Sequence, residues 1–85
     1  MNSIFESIER VRQMEEIFDA LSDGINKEPP CIDAKLMRIL VDYYESPDWM
    51  NDYELDEAGL LPCDLKRGVL SEDGVYNLLL YIESL

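Results

Sequence analysis

Histidine is missing from this 85-residue chain, and its absence removes a good deal of chemistry. No Ser–His or Cys–His pair can activate a nucleophile. No imidazole can complete a zinc site, and the two cysteines, Cys31 and Cys63, form no C-x-x-C. Basic residues are scarce: seven Lys and Arg stand against nineteen Asp and Glu, for a net charge of −12. With no basic stripe to neutralise phosphates, direct nucleic-acid binding is not expected, and anionic membrane is disfavoured for the same reason. No apolar run approaches ~20 residues, so no segment is expected to span a bilayer. The opening "MNSIFESIERVRQ" lacks the basic-then-apolar order of a signal peptide, which makes a cytoplasmic protein the expectation. Glycine is sparse too, and Gly24, Gly59, Gly68 and Gly74 form no phosphate-cradling loop. No enzyme and no cofactor are expected.

Each cysteine follows a proline, in "PPCIDAKL" and "LPCDLKR", which suggests two similar helix starts. Two cysteines would allow one disulfide. In a cytoplasmic setting, buried or half-buried free thiols are the expectation.

The hydrophobic fraction of 47% suits a globular chain, and the length suits one helical domain over 1–85. A chain this short buries only a little over ~60% of its unfolded surface, so stability should be modest. Self-repulsion at −12 opposes compaction further.

Residues 3–23 read as an amphipathic helix. Ser3 and Glu6 have capping-box spacing. Ile4, Ile8, Val11, Met14, Phe18, Leu21 and Ile25 recur in steps of three and four along one face. Gly24 stands where a left-handed C-terminal cap would close the helix, before "NKEPP". A second helix is predicted over 34–45, capped by Asp33, with Leu36, Met37, Leu40, Tyr43 and Tyr44 on its apolar face. Ser46 and Pro47 then suit the N-cap and first position of a third helix over 47–57, with Asp48 favouring its positive end and Gly59 closing it. Residues 60–70 read as turn-rich, with one helical turn at 64–67 and a positive φ at Gly68. Ser71, Glu72 and Asp73 open a last helix whose face is Val75, Leu78, Leu79, Ile82 and Leu85. No segment alternates with period two. The expected fold is therefore all-α: a small bundle of about four helices with short, turn-rich connections.

The run "YYESPDWMNDYELDEAGLLPCDLKRGVLSEDGVYNLL" carries a tyrosine pair with "S" and "W", the "DYE" and "DE" carboxylates, and "LKRGVLSED". In these elements, and in "RVRQME" of the first helix, the chain resembles a family of small acidic bacterial domains of unknown function, number 4298 in that series. The resemblance covers most of the chain. It implies a bacterial or phage origin and a cytoplasmic location, and it carries no catalytic residue.

The densest chemistry lies between Ile39 and Leu65, where eight carboxylates occur with no Lys or Arg. On a helix, Asp48, Asp52 and Asp56 form one row at ~6 Å steps, and Trp49 and Tyr53 form the adjacent row. The plain reading packs the rings inward and solvates the acids. Like charges four apart nevertheless cost a few tenths of a kcal/mol each, so something should offset them. Lys66 and Arg67 could fold back onto Asp52 or Asp56 from within the chain. A basic partner could do the same from outside. A calcium loop beginning at Asp52 would need glycine at Glu57 and glutamate at Cys63, and has neither, so no metal site is expected. Ser71 reads as a cap in preference to a phosphorylation site.

Two functional expectations follow. The first is an interaction module that docks a protein with a basic surface through 43–57, using Asp48, Trp49, Asp52, Tyr53, Asp56 and Glu57, with a homodimer through the first helix as a further option. The second is a nucleic-acid mimic, such as a phage-encoded inhibitor of a DNA- or RNA-binding defence protein. Carboxylates at ~6 Å steps along helices can approximate a phosphate every ~3.4 Å along each strand. The second reading requires the acids to gather on one surface.

Overall fold

A computed structural model describes residues 4–71 and 73–85. Four helices appear in the order α1 (Ile4–Ile25), α2 (Ala34–Tyr44), α3 (Pro47–Glu57) and α4 (Gly74–Glu83), with a single 3-10 turn at Gly68–Leu70 between the last two. Among the described residues there is no strand, and the protein is a small all-α bundle. Twenty-two residues at ~1.5 Å rise make α1 the longest strut, and the other helices and the 3-10 turn pack along it.

Local signals set the middle of the chain. The Asp33 carboxylate accepts the N–H groups of Lys35 at 2.9 Å and Leu36 at 3.3 Å, which caps α2. The Ser46 hydroxyl donates to the Tyr43 carbonyl at 2.6 Å and accepts from the Trp49 N–H at 3.4 Å. One side chain thus ends α2 and starts α3, with Pro47 at the first helical position. Gly59, at φ 72°, closes α3, while Leu60 N–H reaches the Leu55 carbonyl and Gly59 N–H that of Asp56, each at 3.0 Å.

The core is Val11, Leu21, Leu40, Tyr43, Leu61, Leu65, Val69, Leu70, Val75 and Leu78. Ile8, Met14, Phe18, Ile25, Leu36, Met37, Leu79 and Ile82 pack against it, so the apolar faces read from spacing are largely the faces buried. Ile4 and Leu85, at the ends of those faces, remain exposed.

Several local expectations are corrected. Gly24 is not a left-handed cap; it lies buried inside α1, which runs on to Ile25. Its lack of a side chain serves close approach: a Cβ there would stand 2.1 Å from the Cys31 carbonyl oxygen, where the chain folds back and Cys31 N–H bonds to the Gly24 carbonyl at 3.0 Å. Gly68 has no positive φ. The helical turn falls at 68–70 instead of 64–67, because Val69 is held there from two sides, as described below. Helix α2 ends at Tyr44, with Glu45 as its C-cap. Helix α4 begins at Gly74, whose N–H the Ser71 hydroxyl accepts at 3.3 Å. Both cysteines are free and exposed, because each lies in a connecting loop outside any helix, and only the first Pro-Cys pair leads into a helix. Ser3 of the expected capping box and Glu72 of the last helix start lie outside the described residues.

Candidate functional site

A helix advances about 100° per residue, so α3 presents two opposed strips. Asp48, Asp52 and Asp56 occupy one, and Met50, Glu54 and Glu57 the other. The acid row faces inward, which reverses the solvated face expected for it. Asp52 is 0% exposed. The Arg10 guanidinium of α1 clasps it with two bonds, Nε to Oδ2 at 2.9 Å and Nη2 to Oδ1 at 2.6 Å. This paired geometry is the strong form of such a contact. The Tyr43 hydroxyl donates to Oδ2 at 2.7 Å. Around them, the Ser7 hydroxyl accepts from Arg10 at 3.2 Å and from the Asn51 amide at 3.3 Å. Among the described residues no buried side-chain N or O lacks a partner, which is the condition for a polar cluster inside a core.

The charges follow from these contacts. Burial alone would raise the Asp52 carboxyl, but hydrogen bonds from Arg10, Tyr43 and Ser7 hold it below the ordinary carboxylate range. Burial, then the bond to Asp52, pushes the Tyr43 phenol well above its usual value. The hydrogen bond to Asp52 raises the Arg10 guanidinium against the opposing effect of its own burial.

The neighbouring acids are also engaged from within. Asp48 lies 3.9 Å from Arg10 at the solvent edge. Arg67 bonds Asp56 at 2.8 Å, which realises the fold-back expected for it. Lys66 does not join it and pairs with Asp19 of α1 instead. The repulsion along the row is therefore offset inside the chain, chiefly by Arg10. The sequence held a signal for this residue: Arg10 is a cation three positions from Ser7 and four from Met14, on the packed side of the first helix.

Trp49 is a core-side residue. Its ring meets Tyr44 edge-on at 5.2 Å and 74°, and stacks on Tyr53 at 5.2 Å and 22°. Its indole N–H donates to the Val69 carbonyl at 2.8 Å. The N–H of the same Val69 donates to the buried Glu15 carboxylate, also at 2.8 Å. Tyr53 is the outer member of the stack and is half-buried.

Of the six residues singled out for partner binding, Tyr53 and Glu57 reach the outer side of α3, and Asp48 reaches its edge. Asp52 is removed from the surface by Arg10. Trp49 and Asp56 are half-buried and held by Val69 and Arg67. Met50, half exposed, and the exposed Glu54 complete the outer strip. Their spacing with Glu57, four and then three residues, was the signal available for them.

A groove of about 260 Å³ lies between α1 and residues 64–66, lined by Arg12, Glu15, Glu16, Asp19, Asp64, Leu65 and Lys66. Its lining holds no hydroxyl or thiol, Lys66 is paired with Asp19, and Glu15 is committed to Val69. Among the described residues no group of Cys, Asp and Glu has the arrangement to hold a metal ion, and no helix is long and apolar enough to cross a membrane.

The chain matches the family described as "Domain of unknown function (DUF4298)" over residues 1–85 and belongs to it. No curated protein and no solved structure gives a significant match.

Proposed function

We propose that this DUF4298 member is a small acidic protein–protein interaction module of the bacterial or phage cytoplasm that docks a partner with a basic surface on the outer side of α3. The observation that supports this reading is the aromatic stack opening outward at Tyr53, beside half-exposed Met50 and the carboxylates Glu54 and Glu57. A stacked tyrosine next to a flexible thioether gives a rigid, adaptable apolar contact. Acids around it would steer a basic partner and fix its register. Asp48, at the solvent edge beside Arg10, extends that negative rim.

Mimicry of nucleic acid is the weaker reading, on the distribution of charge. Exposed carboxylates occur on every helix, as Glu9 on α1, Asp42 on α2, Glu54 on α3 and Glu83 on α4. The regular row Asp48–Asp52–Asp56 is turned toward two arginines.

The test uses the tagged protein and its Glu54→Lys/Glu57→Lys variant as baits in bacterial lysate, with washes at rising salt. A basic protein held by the parent, released by salt and lost by the variant supports docking on α3. Equal capture by both baits, with the variant folded, counts against it. Displacement of the captured protein by added DNA would favour mimicry.

A further inference from the structure

Helix α4 is apolar on more than the side it buries. Val75, Leu78, Leu79 and Ile82 face the core, yet Tyr76, Leu80 and Tyr81 stand 47–53% exposed on the remaining side. A helix apolar all round is normally covered all round. The segment is also the least charged of the chain. Residues 74–82, "GVYNLLLYI", form its longest uncharged run, whereas α1 and α3 each carry several acids and α2 carries Lys35, Arg38 and Asp42.

That contrast restricts what can cover the face. A molecule of net charge −12 repels its own copy wherever acids meet. Along α4 between Asp73 and Glu83 there is no charge to repel. There is equally no carboxylate to attract a basic partner and no cation to attract an acidic one, so the electrostatic complement of this face is another neutral apolar face.

We propose that α4 is a self-association surface, on which the exposed side of α4 from one copy packs against α4 of a second copy about a two-fold axis. The same patch of both copies then forms the seam, each contact occurring twice, as a two-fold interface requires. Tyrosines suit such a seam because their rings bury while their hydroxyls remain wet. The surface differs in place and in physics from the α3 face proposed for a basic partner. With ~150–250 Å² for a whole aromatic side chain, the three half-exposed residues present on the order of 300 Å² per copy. A standard interface uses about 800 Å² per partner, so the dimer is a weak one that forms at micromolar concentration or above. Salt strengthens it, because screening relieves repulsion between two negative bodies and leaves apolar burial intact. Docking of a basic partner on α3 responds to salt with the opposite sign.

Sedimentation of the full chain, from about 10 µM to about 500 µM, at about 0.02 M and about 0.5 M salt, tests the proposal. The expected result is a monomer–dimer equilibrium that tightens with salt. Leu80→Glu and Tyr81→Glu should each weaken it about tenfold or more, with helical content retained, while Gln13→Glu on the exposed side of α1 leaves it unchanged. Tyr76→Gln/Tyr81→Gln is the milder variant if either glutamate variant loses helicity, and it should weaken the dimer in the same direction. A monomer across the whole range at both salts would overturn the proposal. So would a dimer that salt weakens, or one indifferent to the α4 substitutions.

Discussion

The indole N–H of Trp49 donates to the Val69 carbonyl at 2.8 Å, across twenty residues of sequence. On the other side of the same residue the Val69 N–H is taken by Glu15, fifty-four positions away. A buried 3-10 turn leaves backbone groups that water cannot reach, so both ends of this one need a partner. The two side chains supply them, and in doing so they fasten the long 58–73 connection to α1 and α3.

Trp49→Phe keeps a ring for the stack and removes the donor. It should cost about 1–2 kcal/mol, the price of an unsatisfied buried carbonyl, and lower the melting temperature by roughly 4–8 °C per kcal/mol in a domain of this size. Glu15→Gln retains an acceptor for Val69 and should be milder than Glu15→Leu, which leaves the N–H orphaned. Thermal melts of the three variants check the ranking. Equal losses for Gln and Leu would mean that the hydrogen bond contributes nothing.

The Arg10–Asp52–Tyr43 cluster gives the stability profile two edges. The folded-state pKa of Asp52 lies below its unfolded value near 3.8. Its contribution is therefore complete above that value and is lost as pH falls through the depressed folded one. The Tyr43 phenol is shifted the other way, so its contribution is complete below 10.0 and declines as pH rises beyond it. Asp52→Asn strands the Arg10 charge and should cost about 3 kcal/mol near neutrality, while removing its share of the acid limb. Tyr43→Phe should cost about 1 kcal/mol and flatten the alkaline limb. Urea unfolding as a function of pH reads both, and unaltered limbs in the variants would refute the assignment.

Two glycines should respond differently to alanine. At Gly59 there is open space within 4 Å but a φ of 72°, so Gly59→Ala should cost about 1 kcal/mol of backbone strain. At Gly24 the new Cβ would stand 2.1 Å from a backbone oxygen of Cys31, and the chain around Cys31 must move. A cost of about 2 kcal/mol or more is expected there. Denaturant midpoints with equal m-values decide the order, and a Gly24→Ala variant more stable than Gly59→Ala would contradict it.

Net charge sets the salt response. Repulsion among nineteen acids is long-range and screened, whereas the Arg10–Asp52 pair is sheltered from ions. The melting temperature should rise from low to moderate salt. A fall over that interval would show that exposed ion pairs such as Lys66–Asp19 outweigh the repulsion.

Helices α2 and α3 were legible in the sequence because what starts and stops them is local. Asp33, the Ser46–Pro47 pair and Gly59 each act on backbone groups a few residues away, and the structure keeps them in those roles. The all-α class and most of the core were legible for a similar reason: a period of three and four residues marks a face wherever the helix sits. Tertiary structure alone decided which side of α3 faces in. Periodicity separates the Asp48–Asp52–Asp56 row from the Met50–Glu54–Glu57 row, but apolarity does not choose between them, since neither is an apolar stripe. The choice was made by Arg10, forty-two residues away, whose guanidinium neutralises Asp52 once α1 is laid across α3. It alone also decided the places of Gly24 and Trp49. Their partners are the backbone carbonyls of Cys31 and Val69, and a backbone carbonyl is the same atom at every position until the fold brings one of them near.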